Sequence, residues 1–141
     1  MTTFADTSAL YALLNRNDRH HSEAAQAARE VRRQREALWT IDAVGVELWR
    51  LLHGSFGREV ADRLVQSLAA GGLEFEPSAR EDCLRAWQIG ADWADQDFSL
   101  TDRLCFAAIE RARSFRAWSY DADFAVIRLG PRRASALQLL V

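Results

Sequence analysis

Short apolar stretches separated by helical ones constrain this chain more than any other feature. Thr2–Ala5, Ala37–Ile41, Leu73–Glu76 and Arg116–Ser119 read as strands, and Ala136–Leu140 as a last one. Helical patterns fill the intervals: Ser8–Asn15, Arg19–Arg35, Asp42–His53, Arg58–Leu68, Pro77 to Ala94 and Ser99–Arg113, with a turn or two over Asp121–Val126. A strand whose successor arrives only after a helix cannot form a tight hairpin with it, and such a crossover leaves the two parallel. The predicted fold class is therefore α/β, a central and mostly parallel twisted sheet flanked by helices. A length of 141 residues suits one such domain, spanning 1–141.

Finer details follow from the same patterns. Gly54-Ser55 is expected to end the third helix and Ala70-Gly71-Gly72 to form a turn. The second helix is polar, with Ala24, Ala25, Ala28 and Val31 as its inward stripe. Its end carries Arg29, Arg32, Arg33 and Arg35, read as a solvated face of cations near a helix C-terminus. Leu84, Trp87, Ala91 and Ala94 form the expected core stripe of the helix after Pro77.

Composition narrows the chemistry. The net charge of −2 shows no basic excess of the nucleic-acid-binding kind, although a local patch would escape that count. All 18 basic residues are Arg. Cys83 and Cys105 sit in apolar helical patterns and read as buried thiols. His20, His21 and His53 lack the spacing of a zinc site. No apolar run is long enough for a membrane span, so a cytoplasmic protein is expected.

In parallel sheets, ligands bind beyond the carboxyl ends of the strands. Acidic residues lie at those joins. Asp6 follows the first strand and Asp121 the fourth, while Asp102 falls in the first turn of a helix. Glu47 lies on the stripe of Val44, Leu48 and Leu51, a costly place for an unpaired carboxylate. Each acid also has a plain structural reading. Asp6 fits a helix N-cap, Ser99-Leu100-Thr101-Asp102 fits a capping box, Asp121 or Asp123 fits a turn cap, and Glu47 fits a pair with Arg50. Taken together, converging carboxylates repel one another unless a cation joins them. Mg²⁺ or Mn²⁺ prefers such oxygen ligands and assists phosphodiester cleavage.

Four segments resemble, in order, the motifs of PIN-domain ribonucleases, in particular the small VapC-type toxins of toxin–antitoxin pairs. They are Asp6-Thr7-Ser8-Ala9-Leu10, Val46-Glu47-Leu48, Asp97-Phe98-Ser99-Leu100-Thr101-Asp102 and Tyr120-Asp121-Ala122-Asp123-Phe124. The resemblance spans nearly the whole chain. It implies a PIN-like nuclease domain acting as a Mg²⁺- or Mn²⁺-dependent endoribonuclease on tRNA, rRNA or mRNA. It also implies restraint by a cognate antitoxin, and a homodimer. Carried over by position, Asp6, Glu47, Asp102 and Asp121 are the catalytic acids. Asp6, Asp102 and Asp121 bind metal, while Glu47 holds the attacking water or acts as base.

Thr7, Ser8, Asp97, Thr101 and Asp123 form a second tier, with Thr7 or Ser8 adding a hydroxyl. Two departures stand out. Asp123 occupies a position where many relatives carry His, and Arg103 one where a small residue is common. Trp39, Trp49 and Trp93 read chiefly as core, with base stacking as the other reading. Trp49, Leu52 or Phe56 is expected to feed a groove for the antitoxin. An aspartyl-phosphate phosphatase fits poorly, because Ser8 stands where its second Asp belongs. An inactive PIN-like binding module and a DNA nuclease are the remaining alternatives.

Overall fold

Thr3, Phe4 and Ala5 are buried in the first strand, as a strand covered on both faces requires. The computed structural model describes residues 1–140. The elements are β1 (Thr2–Ala5), α1 (Thr7–Leu14), α2 (His21–Arg33), β2 (Ala37–Ile41), α3 (Asp42–Phe56), α4 (Arg58–Ala70), β3 (Glu74–Glu76) and α5 (Arg80–Asp92). They continue as α6 (Leu100–Ala112), β4 (Arg116–Trp118), α7 (Asp123–Val126), β5 (Arg128–Leu129), a 3₁₀ turn (Pro131–Arg133), β6 (Ser135–Ala136) and β7 (Gln138–Leu139). Five strands form one sheet in the order β3-β2-β1-β4-β7. Every pairing in it is parallel. The expected α/β class, with its parallel sheet between helices, is what the chain adopts.

The strand order reverses direction at β1. One half of the sheet grows away from it through β2 and β3, the other through β4 and β7. Such a switch point opens a crevice at the carboxyl edge. Here it lies between β1 and β4, which pair Phe4 with Ala117 and Ala5 with Trp118. Beneath it Phe98, Phe106 and Phe124 pack edge to face, with centroids 5.2 and 4.9 Å apart. Burying these rings holds the loop before α6 and the turn after β4 on one core.

Several local expectations differ from the structure. The third helix runs through Gly54 and Ser55, and stops at Gly57. An isolated glycine costs a helix only about 1 kcal/mol, whereas Gly57 adopts φ +85°, a conformation other residues resist. The inward stripe of α2 is Ala24, Ala27 and Val31, one step round from the reading through Ala25 and Ala28. Helix α5 begins at Arg80 and turns Asp82, Ala86 and Ile89 inward. Leu84 and Trp87 are instead 53% and 55% exposed, and Ala91 and Ala94 are exposed as well. Asp82 tolerates burial because the Arg111 guanidinium donates to it at 2.8 Å and Ala79 N–H at 3.0 Å. Last, the segment from Ala136 to Leu140 is two strands. β6 pairs antiparallel with β5, and β7 joins β4, with buried Leu137 between them.

The tryptophans divide. Trp39 is buried against Phe4 at 4.9 Å. Trp49 is half-buried and donates its indole N–H to Asp62 at 2.8 Å. Trp93 is half-buried under Arg133. Leu52 is wholly buried. Of the three groove residues expected, Phe56 is exposed and lines a cleft of about 350 Å³ with Leu14, Val60 and Leu64. Cys105 is buried and Cys83 half-buried, and both are free thiols. No helix among the described residues is long and apolar enough to cross a membrane.

Candidate active site

Asp6 links β1 to α1 in extended backbone, with φ −83° and ψ 162°, and its N–H donates to Trp118 C=O at 3.0 Å. It stands at the N-cap position, yet its side chain makes no N-cap bond to the α1 backbone beyond the first residue. The carboxylate instead takes one hydroxyl from α1 and one from just past β4. Ser8 Oγ donates to Asp6 Oδ2 at 2.9 Å and Ser119 Oγ donates to the same oxygen at 2.8 Å. Asp6 is only 3% exposed. Burial pushes its pKa up to about 6, against the hydrogen bonds from Ser119, Ser8 and Thr7 N–H, and the charge of Asp121 adds to the rise.

Asp102 arrives from α6, where the capping box forms as expected. Ser99 Oγ accepts Asp102 N–H at 3.0 Å, and Asp102 Oδ2 accepts Ser99 N–H at 3.3 Å. The same carboxylate belongs to the acidic group, so capping and chemistry share one residue. Asp102 is 8% exposed. Burial first, then the charges of Asp121 and Asp6, push its pKa up to about 7.

Asp121 and Asp123 come from the turn after β4. Ser119 Oγ accepts Asp121 N–H at 3.0 Å, and Asp121 Oδ1 accepts Asp123 N–H at 2.9 Å. This turn folds both side chains toward α6, and oxygens of Asp102, Asp121 and Asp123 all lie within 4.8 Å of one another. Burial raises the Asp123 pKa, with Asp121 adding to it. Thus the tight trio includes Asp123, read from sequence only as second tier. Asp6 stands behind it, near enough for its charge to act on Asp102.

Glu47 is half-buried on α3 and outside the trio; the inward stripe of that helix is Val44, Leu48 and Leu52, while Leu51, expected on it, is 45% exposed. Glu47 lines a cleft of about 560 Å³ with Thr101, Val46, Arg50 and Leu51. Its nearness to the others shows at Cys105, whose thiol is held well above its usual pKa by burial and then by the charges of Asp6, Asp102 and Glu47. No ion pair joins Glu47 to Arg50 among the described residues. Asp97 is exposed, and its charge is felt at Asp123.

The departure at position 103 is resolved by geometry. Arg103 points away from the acids, donating to Phe98 C=O at 3.2 Å and Ala86 C=O at 3.3 Å. It lies across Gly90, where a Cβ would fall 2.6 Å from Nη1. Arg103 therefore braces α5 against the loop carrying Asp97.

None of Asp6, Glu47, Asp102, Asp121 and Asp123 has a cationic side-chain partner among the described residues. Thr7 Oγ1 is buried with no hydrogen-bond partner. Oxygen donors alone, without a cationic partner, fit a hard divalent cation. The same set does not fit zinc, which favours His and Cys.

The PIN domain family model matches residues 3–129. The chain belongs to the PIN domain family. Among solved structures, this PIN domain is similar to VapC20 of Mycobacterium tuberculosis, a sarcin–ricin loop cleaving toxin. The TM-score is 0.77 at 22% identity, over 89% of this chain and 94% of that one. It is also similar to a chain of VapBC2 from Rickettsia felis, bound to a DNA fragment from their promoter, with a TM-score of 0.71 at 11% identity, over 99% and 97%. At these identities the likeness is one of fold. No curated protein matches the sequence.

One member of the candidate site is absent from the sequence reading. Ser119 is 5% exposed and touches both Asp6 and Asp121. The available signal was a hydroxyl two residues before an acid at a strand end. That pattern gains meaning only once β4 is known to lie beside β1.

Proposed function

We propose that this chain is a metal-dependent endoribonuclease, the VapC-type toxin of a toxin–antitoxin pair, working as one domain over residues 1–141. The observation that carries the reading is the trio Asp102, Asp121 and Asp123, backed by Asp6, converging without a cationic partner at the switch point of a PIN sheet. Asp6, Asp102, Asp121 and Asp123 hold Mg²⁺ or Mn²⁺. When bound, the ion stabilises charge building on the scissile phosphate and makes water a better nucleophile. Glu47 orients the attacking water and takes its proton. Thr101 lines the approach, and Asp97 adds to the negative field at Asp123. In-line attack forms the new P–O bond and breaks the bond to the 3′ oxygen, which takes a proton from solvent to become a 3′ hydroxyl, while the other product carries the 5′ phosphate.

The substrate is RNA presented as an exposed loop, because a duplex hides its scissile bond. The fold shared with VapC20, itself a loop-cleaving toxin, supports that class. The fold shared with VapBC2 supports a cognate antitoxin, seated with an apolar helix in the cleft of Phe56, Leu14, Val60 and Leu64. Val46, Leu51 and Leu100, exposed beside Glu47, support pairing with a second copy. The site of action is the cytoplasm.

The test is cleavage of a tRNA and rRNA pool by purified, partner-free protein with Mn²⁺ or Mg²⁺, against EDTA and Asp6→Asn controls. Cuts at few positions, lost in both controls, support the reading. Cleavage of single-stranded DNA instead would reassign the substrate, and no cleavage of either would make the chain an inactive module.

A further inference from the structure

We infer that Ser119, with Ser8, is a positioning residue that aims the Asp6 carboxylate at the metal-binding acids; this rests on the reading of those acids as a cation site. The polarity of the network follows from its backbone donors. Tyr120 N–H donates to Ser8 Oγ at 2.9 Å and Asp121 N–H to Ser119 Oγ at 3.0 Å. Each hydroxyl has one hydrogen, and each directs it to Asp6 Oδ2. The 3.2 Å separation of the two hydroxyl oxygens is thus a consequence of sharing one acceptor. Both bonds place an O–H against a carboxylate oxygen, which suits the ionised acid. Oδ2 is occupied twice and Oδ1 by neither serine, so the carboxylate is fixed in rotation.

Ser119 does a second thing. By accepting Asp121 N–H it sets the start of the turn that brings Asp121 and Asp123 to Asp102. One buried hydroxyl, 113 residues from Asp6 in sequence, therefore ties the acid after β1 to the acids after β4. Groups that orient ligating carboxylates in this way typically change metal affinity or activity by about 10–100-fold.

The experiment measures Mn²⁺ affinity by titration calorimetry on the whole chain, with RNA cleavage alongside. The variants are Ser119→Ala, Ser119→Thr and Ser8→Ala, with Ser119→Ala also made in an Asp6→Asn background. Ser119→Ala should weaken Mn²⁺ binding about 10–100-fold, and Ser119→Thr, which keeps the hydroxyl, should restore most of it. With Asp6→Asn already present, Ser119→Ala should cost far less, because the carboxylate it aims is gone. In the metal-free protein, amide exchange should accelerate at Asp121 in Ser119→Ala and at Tyr120 in Ser8→Ala.

A merely structural serine would cost the same factor in both backgrounds, and that result would overturn the inference. So would unchanged Mn²⁺ affinity in Ser119→Ala while the wild type binds. Should Ser119→Ala fail to melt cooperatively, Ser8→Ala carries the test, with a smaller loss expected through the same oxygen and an unchanged affinity again overturning it. A wild-type chain that binds no Mn²⁺ and cuts no RNA would remove the proposed function first, and this inference with it.

Discussion

The two edges of one sheet bury charge in opposite ways. At the amino edge the Glu36 side chain is 4% exposed and fully answered. Thr3 Oγ1 donates to it at 2.6 Å, and the Arg116 guanidinium grips both oxygens at 3.2 and 3.0 Å. Burial alone would raise the Glu36 pKa, but the bonds from Thr3 and Arg116 and the charge of Arg116 hold it below the usual range. At the carboxyl edge Asp6 and Asp102 are buried as well, and hydroxyls, backbone N–H groups and the Asp121 carboxylate face them, with no cation among the described residues. Their pKa values rise to about 6 and about 7. Strand β4 serves both edges, with Arg116 at its start and Asp121 just past its end. The fold can supply a cation to a buried acid, and at the candidate active site it supplies none.

The contrast can be broken from either side. The largest effect is expected at the amino edge: Arg116→Ala leaves Glu36 buried without its partner and should cost about 3 kcal/mol in urea unfolding. Next, Asp102→Asn should reduce metal-dependent RNA cleavage by at least about 10²-fold in single-turnover kinetics. It should leave metal-free stability unchanged or raised, because an amide can still accept Ser99 N–H and sheds a disfavoured charge. An Asp102→Asn protein as destabilised as Arg116→Ala would show that the carboxyl edge is structural after all. Smaller again is Thr3→Val, which removes one hydrogen bond to an ionised group and should cost about 1.5 kcal/mol with cleavage intact.

Acid and base titration sharpen the comparison, since the signs oppose. The lowered pKa of Glu36 contributes stability that is present above its unfolded value near 4.5 and is lost as pH falls below it. The raised values of Asp6 and Asp102 work the other way. Their contribution is complete below the unfolded value near 3.8 and is lost as pH rises through about 6 and about 7.

Much of this was legible in the chain, and the parts that were not share a cause. The strand–helix alternation and the Ser99–Asp102 capping box are local patterns, and both formed. Asp6 and Asp121 approach one another because their strand ends face one crevice in the parallel sheet, and the first turn of α6 brings Asp102 to them. The inward face of α5 was read backwards, because Asp82 is buried by Arg111, 29 residues away. Gly54 was read as a stop because an exposed glycine and a glycine at positive φ look alike in sequence, whereas Gly57 ends the helix. Ser119 and the rank of Asp123 depend on strand adjacency and turn geometry, which periodicity does not carry. The candidate site was therefore legible in most of its charges and in Ser8, and hidden in Ser119 and in the rank of Asp123.

The most direct measurement is the melting temperature between pH 5 and pH 8, with and without Mn²⁺. An edge that lacks its cation predicts a metal-free Tm that falls as pH rises through about 6 and about 7, and a Mn²⁺-induced gain that grows over the same interval. A metal-free Tm that holds or rises, with no response to Mn²⁺ at any pH, would contradict it.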